Sequence, residues 1–314
     1  MLGRTANGLF WMFRYIERAE NMARLIDAGI RMALTRDSVA AEEEWRSVIA
    51  TAGQRAGYES KHQTYTGIQA WNWLLCDRAN PMSVMSMLQQ IRQNGRSARN
   101  AISGELWEVI NDTWLAAGDL LGEPLSQDNV SEATSLVKGF ATQAHGVMNS
   151  SLLRDQGYNF ASAGTYIERA DSVARILDIK YYLLLPSLSY VGSSLDTGQW
   201  DTVLRSVSGD RAYRSLHAGQ IDARGIVEFL VLDDSFPRSL AFCHSALRDE
   251  LAALARTKGE EGECDELMRR ADIRLQTLTI EDIFDQGLHE FLTEFMATNA
   301  AIAQAIASDY RFTV

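Results

Sequence analysis

The segment YIERAENMARLID, which starts at Tyr15, returns as YIERADSVARILD from Tyr166, 151 residues further on. Two more landmarks follow in the same order at nearly the same offset. Trp45 and Tyr58 stand 13 residues apart, as do Trp200 and Tyr213, and WLLCDRANPMS from Trp73 aligns with FLVLDDSFPRS from Phe229. That alignment places Asp77 on Asp233, Pro81 on Pro237 and Ser83 on Ser239. Ordered recurrence of three landmarks is the mark of an internal repeat. The chain reads as a tandem duplication, a first repeat over 1–156 and a second over 157–314. No Ser-, Gly- or Pro-rich linker joins them, so the halves are expected to pack together as one compact unit about a pseudo-twofold axis.

Both copies are written in helical period. Leu9, Met12, Ile16, Ala19, Ala23 and Ile26 recur at steps of three and four, and Phe160, Ile167, Ala170, Ala174 and Leu177 repeat the stripe. Four prolines and 22 glycines in 314 residues leave long helices unbroken. Asn80 before Pro81 predicts the start of a helix through MSVMSMLQQIRQNGRSARNAI, with Pro237 opening its counterpart. Val130 to Leu153, Cys264 to Thr277 and Ile280 to Ser308 show neither strand alternation nor hairpin dipeptides. The predicted fold class is all-α, a tandemly duplicated helical bundle.

Composition excludes several functions. Hydrophobic residues at 46% with 23% charged are ordinary for a globular chain. Cys76, Cys243 and Cys264 are odd in number, widely spaced and form no CxxC pattern, which suits a reducing compartment and makes the cytoplasm the expected location. The richest apolar run, YYLLLPSLSYV at 181–191, is too short for a membrane span and is broken by Pro186. MLGRTANGLFWMFRYIERAE carries charges inside its apolar part, so a secretory signal is not expected. A net charge of −11 with arginines interspersed among acids argues against nucleic acid. GxSxG, HExxH, Walker and GxGxxG patterns are absent, so no familiar enzyme class and no cofactor is expected.

The repeated segment carries a charged stripe beside its apolar one. At 100° per residue Glu17, Glu20, Arg24 and Asp27 share an arc of about 80°, next to Ile16 and Ala23 at the edge of the core. Glu168, Asp171, Arg175 and Asp178 repeat it, while Arg18 and Arg169 project elsewhere. In one reading Glu20–Arg24 and Asp171–Arg175 are i,i+4 ion pairs and the other acids pair with arginines on neighbouring helices. In the other, surplus carboxylates of both copies converge on a cavity for a cation, a substrate amine or a metal, or for proton transfer.

Arg92, Arg96 and Arg99 form a second constellation at four-and-three spacing, followed by Glu105 and Glu108. Only Arg248 survives in the second copy, where Ala252 and Ala255 take the other two places. The simpler expectation is that these arginines neutralise the acids of the opening helix. The sharper one is an anion site for phosphate or carboxylate. His62, His145, His217, His244 and His289 are scattered, and the single ExxH, Glu59 to His62, lacks the second motif a di-iron bundle needs, so no metal is expected. His289, one turn after Asp285, reads as a satisfied histidine. Trp11, Trp71, Trp73, Met82, Met85, Phe284, Phe291, Phe295 and Met296 are expected in the core. The acids Glu281, Asp282, Asp285, Glu290 and Glu294 read as a solvated or partner-docking face.

MLGRTANGLFWMFRYIERAENMARLID, DQGYNFASAGTYIERADSVARILDIKYY and EFLVLDDSFPRSLAFC together resemble the alpha-E family, a bacterial helical family named for its Glu-Arg motif and usually found as a tandem duplication. The motif maps onto Glu17–Arg18 and Glu168–Arg169. IRQNGRSARNAISGELWEVIN resembles the family's Arg-rich helix, with Gln93 in place of an acid and Gly95 in place of alanine. The resemblance carries no established reaction. It implies association with circularly permuted ATP-grasp ligases, transglutaminase-like proteins and NTN-hydrolase-type peptidases, hence with peptide synthesis or modification. The leading expectation is a helical accessory or scaffold component that docks the ATP-grasp protein or presents a peptide. A rival is an enzyme of that system, with Glu17, Glu20, Glu168 and Asp171 as acid/base or metal-binding groups and Arg92, Arg96 or Arg99 orienting an anionic substrate. A third is a structural oligomer.

Overall fold

The computed structural model describes residues 1–34, 38–183, 194–217 and 221–312. Among them every regular element is helical. The helices are α1 (Gly3–Ala33), α2 (Ser38–Thr51), α3 (Arg55–Glu59), α4 (Gly67–Leu75), α5 (Val84–Ser97), α6 (Gly104–Leu121), α7 (Val130–Ser151), α8 (Gln156–Leu183), α9 (Ser194–Ser206), α10 (Asp210–Leu216), α11 (Ala223–Leu232), α12 (Leu240–Lys258), α13 (Glu263–Thr277), α14 (Ile280–Gln286) and α15 (Leu288–Asp309). A 3-10 turn, Arg99–Ala101, links α5 to α6. The all-α prediction holds. None of these helices is long and apolar enough to cross a membrane, and 184–191 of the YYLLLPSLSYV run lie outside the described residues.

Two compact units emerge, Gly8–Ala161 and Ser162–Val314 together with Met1–Asn7. Both borders fall inside long helices, α1 and α8, so the division is not at a linker and differs by a few residues from the 156/157 border read from the repeat.

In the first unit the predicted stripe of α1 is the core: Leu9, Met12, Ile16, Ala19, Ala23 and Ile26 are fully buried. Trp45 packs edge-on against Trp71, ring centroids 5.7 Å apart, and buried Tyr58 stacks on Tyr65 at 4.8 Å while donating its hydroxyl to Thr64 O at 2.9 Å. In the second unit Ile167, Ala170, Ala174 and Leu177 are buried, and Tyr213 stacks on His217 at 4.3 Å and meets the edge of Phe229. The Trp and Tyr landmarks are therefore aromatic anchors. Among the expected core residues Trp73, Met85, Phe291 and Phe295 are buried. Phe284 is exposed at the end of short α14, and Trp11 is half-covered, with the Arg14 guanidinium 4.5 Å above its ring.

Helix starts differ from those predicted. The N-cap of α5 is Ser83, whose Oγ accepts from Ser86 N, and that of α12 is Ser239, accepting from Phe242 N. Asn80 instead shapes the preceding turn, accepting from Met82 N and donating to Trp73 O. Asp233 does the same in the second unit, accepting from the backbone N–H groups of Ser235 and Phe236. A free N-terminal amide is best met by a cap immediately before the first helical residue, and serine holds that place in both units. The predicted run from Ile280 to Ser308 is likewise two helices, divided at Gly287, whose φ of 97° lies in the region that favours glycine.

Candidate functional site

The glutamates of the first Glu-Arg segment lie on the inner side of α1. Glu17 and Glu20 are 0% and 3% exposed, inside the core and not at its edge. Their neighbour across the helix pair is α7. Asp27, toward the far end of α1, pairs with Lys138 and accepts from Thr134 Oγ1 at 2.6 Å, while Phe13 faces His145 with ring centroids 5.7 Å apart. Position falls along α1 as it rises along α7, so the two helices run antiparallel. This brings His145 to the motif: Glu17, Glu20 and His145 each offer a ligand atom, all three within 4.8 Å of one another.

Around this centre Arg24 donates from Nε to Glu20 Oε1 at 2.9 Å and pairs with it through Nη2 as well. The Glu20–Arg24 pair read from the sequence is present, as is Asp171–Arg175 at 2.7 Å. Arg18 faces away toward Met82 Sδ at 3.3 Å, and Arg169 donates to Pro237 O at 3.3 Å. Each arginine of the motif thus touches the loop before α5 or α12 in its own unit.

The second unit uses the same stage differently. α8 and α15 are joined at Asp178 and His289, Nδ1 to Oδ1 2.5 Å, and at Asn299, which donates to Ile167 O at 3.0 Å. The buried carboxylate there is Glu168, 3% exposed. Asn299 Oδ1 lies 3.4 Å from Nε2 of fully buried His244. Among the described residues no histidine joins Glu168 and Asp171 as His145 joins Glu17 and Glu20.

The expected meeting of Arg92, Arg96 and Arg99 with the acids of α1 does not occur. α1 approaches α5 on its small-residue side: a Cβ at Gly95 would lie 3.4 Å from Met12 Sδ, and one at Gly8 would lie 3.2 Å from Asn94 O. The arginines point toward α6. Arg92 donates from Nε to Asn111 Oδ1 at 2.9 Å and sits 5.9 Å from the Trp114 ring centre, and Arg99 sits 5.8 Å from that of Trp107. Arg96 is exposed and meets no carboxylate among the described residues. α5 ends at Ser97, so Arg99 belongs to the 3-10 turn and not to a continuous helical face. Glu105 stands in the exposed first turn of α6, where an acid favours the helix dipole, and does not join the site.

Two other groups settle as ordinary structure. Glu59 binds Arg55 and the Tyr65 hydroxyl, whereas His62 packs on Tyr58, so the ExxH residues do not converge. Burial pushes the Cys76 thiol up to about 11 and raises that of Cys264 further, which leaves both unreactive near neutrality. A pocket of about 390 Å³ opens beside α4, bounded by His62, Trp73, Cys76 and Asp77, with no residue of the Glu-Arg motif in its wall.

His145 was not read as a site residue from the sequence. The signal was present: Thr134, Lys138 and His145 follow at four and seven residues, a polar stripe beside the buried Val137, Ala141 and Ala144.

The Alpha-E family model, described as a predicted alpha-helical domain with a conserved ER motif, matches residues 1–310. The chain is similar to uncharacterized proteins of Mycobacterium bovis and Mycobacterium tuberculosis, 26% identical over 321 residues that cover 94% of this chain and 35% of theirs. It therefore spans about a third of the length of the curated relatives it matches. No solved structure matches it.

Proposed function

The chain belongs to the Alpha-E family, and we propose that it is a helical accessory component of a peptide synthesis or modification system, docking a circularly permuted ATP-grasp ligase. A transglutaminase-like protein or an NTN-hydrolase-type peptidase of the same system is a further partner in this reading. The observation that carries it is the uneven charge of two corresponding arginines. Arg248 on α12 is matched by the carboxylate of Asp272 at 2.6 Å, whereas Arg92 on α5 donates to the neutral amide of Asn111 and, among the described residues, meets no carboxylate. With Arg96 and Arg99 beside it, the first unit keeps a basic, tryptophan-backed face on a chain of net charge −11. A guanidinium within cation–π range of an indole, as Arg92 and Arg99 are at 5.9 and 5.8 Å, keeps N–H groups for a carboxylate or phosphate. Relatives in which this module is a third of a longer chain suit a component that works beside other domains.

The test is a binding titration with the cognate ATP-grasp protein at low and moderate salt, followed by peptide ligation with and without this chain. Wild type is expected to bind and to raise ligation, and Arg92→Ala/Arg96→Ala/Arg99→Ala to bind at least tenfold more weakly, with a flatter salt dependence. Equal binding by wild type and variant sinks the docking reading. A second reading, an enzyme of the same system using Glu17, Glu20 and His145 as acid/base groups on a peptide, is favoured by their convergence. Glu17→Gln separates the two: the docking reading expects ligation to survive it, and the enzymatic reading expects ligation to be lost.

A further inference from the structure

We propose that Glu17, Glu20 and His145 hold one divalent transition-metal ion in the first unit. The donor set is mixed, two carboxylates and an imidazole, which suits zinc, manganese or iron(II) and not a soft, thiolate-seeking metal. The spacing fits. Ligand bonds of about 2.1 Å in a tetrahedral site place neighbouring donors roughly 3.4 Å apart, and the three atoms here already lie within 4.8 Å of one another. The remaining gap of about 1.4 Å or less is within the reach of side-chain torsions.

The frame that carries the donors is fixed. Glu17 and Glu20 are one turn apart on α1, and α7, which brings His145, is pinned to α1 by Lys138 and Thr134 on Asp27. The Phe13 ring lies beside the imidazole, centroids 5.7 Å apart. Both carboxylates are sunk in the core, where an ionised acid is costly unless a cation stabilises it. Arg24 contributes one such charge at Glu20 Oε1, and a metal ion bound between the donors contributes a larger one. Three protein ligands also leave a coordination position for water or a substrate oxygen, as in open metal sites.

The second unit supplies the internal comparison. Its acids Glu168 and Asp171 are not joined by a third donor among the described residues, and α15 offers Asn299 to the backbone of α8. The predicted stoichiometry is therefore one ion per chain and not two.

The experiment uses the full chain, stripped of metal, titrated with Zn²⁺ by calorimetry and with Co²⁺ by visible absorption. Wild type is expected to take up one equivalent of each. His145→Ala and Glu17→Gln are expected to weaken uptake at least tenfold while keeping wild-type helicity. His289→Ala, which removes the histidine–carboxylate pair between α8 and α15, is expected to leave uptake unchanged. No uptake by wild type, or equal uptake by wild type and folded His145→Ala, overturns the proposal. Should His145→Ala fail to fold, His145→Gln replaces it, and a wild-type stoichiometry other than one is enough to reject the site.

Discussion

Asp27 on α1 and Lys138 on α7 form an ion pair between side chains 111 positions apart, and Thr134 Oγ1 donates to the same carboxylate at 2.6 Å. The pair is largely shielded, with side-chain exposures of 15% and 28%, whereas Glu281 and Arg224 pair in the open at 62% and 53%. Shielding and a second hydrogen bond raise the worth of a pair, and exposed pairs contribute about 0–1 kcal/mol. Asp27→Ala is expected to lower stability by about 1–3 kcal/mol, and Glu281→Ala by less than about 1 kcal/mol. Urea unfolding of both, with an Asp27/Lys138 double-mutant cycle, checks the ranking.

His244 sets a pH limit on the second unit. Burial holds its imidazole well below the usual range, at about 4 against 6.5. Asn299 Nδ2 is committed to Ile167 O, so Asn299 Oδ1 accepts and His244 Nε2 carries the hydrogen. Nδ1 then has no hydrogen-bond partner among the described residues, which further disfavours a second proton. As the pH falls, the unfolded chain takes up a proton before the folded one does. The stability due to the neutral ring is therefore complete above pH 6.5 and is lost as the pH falls toward 4, about 3 kcal/mol in all. Urea melts at pH 7 and pH 4.5 are expected to show this loss in wild type and a smaller one in His244→Gln.

The two serine caps carry a third expectation. Ser83→Ala and Ser239→Ala each remove the side-chain acceptor of a helix N-terminus and are expected to cost about 1 kcal/mol apiece. Pro81→Ala, in the exposed turn before α5, is expected to change stability by no more than about 0.5 kcal/mol. Thermal unfolding of the three variants decides whether the serine or the proline starts the helix.

How far the fold was legible follows from which interactions are local. The stripe from Leu9 to Ile26 was readable because a helix buries what its period places on one face, and Glu20–Arg24 because both partners lie on one turn. Helix starts were misread by three residues. Asn80 and Pro81 are good opening residues in isolation, yet Asn80 is drawn to Trp73 O, and Ser83 falls before the first free amide. Partners across helices were not legible. Nothing near Arg92 in the chain says that α6 will present Asn111 and Trp114 while α1 turns Gly8 to α5. His145 was missed for the same reason, since its neighbours Glu17 and Glu20 are more than 120 positions away.

Two glycines in long helices have opposite roles. Gly29 on α1 faces α2 so closely that a Cβ there would lie 2.8 Å from Val48 Cγ2 and 3.0 Å from the Trp45 ring. Both neighbours are buried, so relief requires moving the aromatic anchor of the first unit. Gly139 on α7 is exposed, and a Cβ there meets nothing within 4 Å. Alanine gains about 0.5–1 kcal/mol over glycine inside a helix, largely by restricting the unfolded chain. At Gly139 nothing opposes that gain, so Gly139→Ala is expected to stabilise the protein by about that amount. At Gly29 overpacking of about 1–3 kcal/mol outweighs it, so Gly29→Ala is expected to destabilise despite the better helix former. Because the two substitutions are chemically identical, a difference of sign in their urea midpoints isolates the close approach of α1 to α2, and equal shifts would refute it.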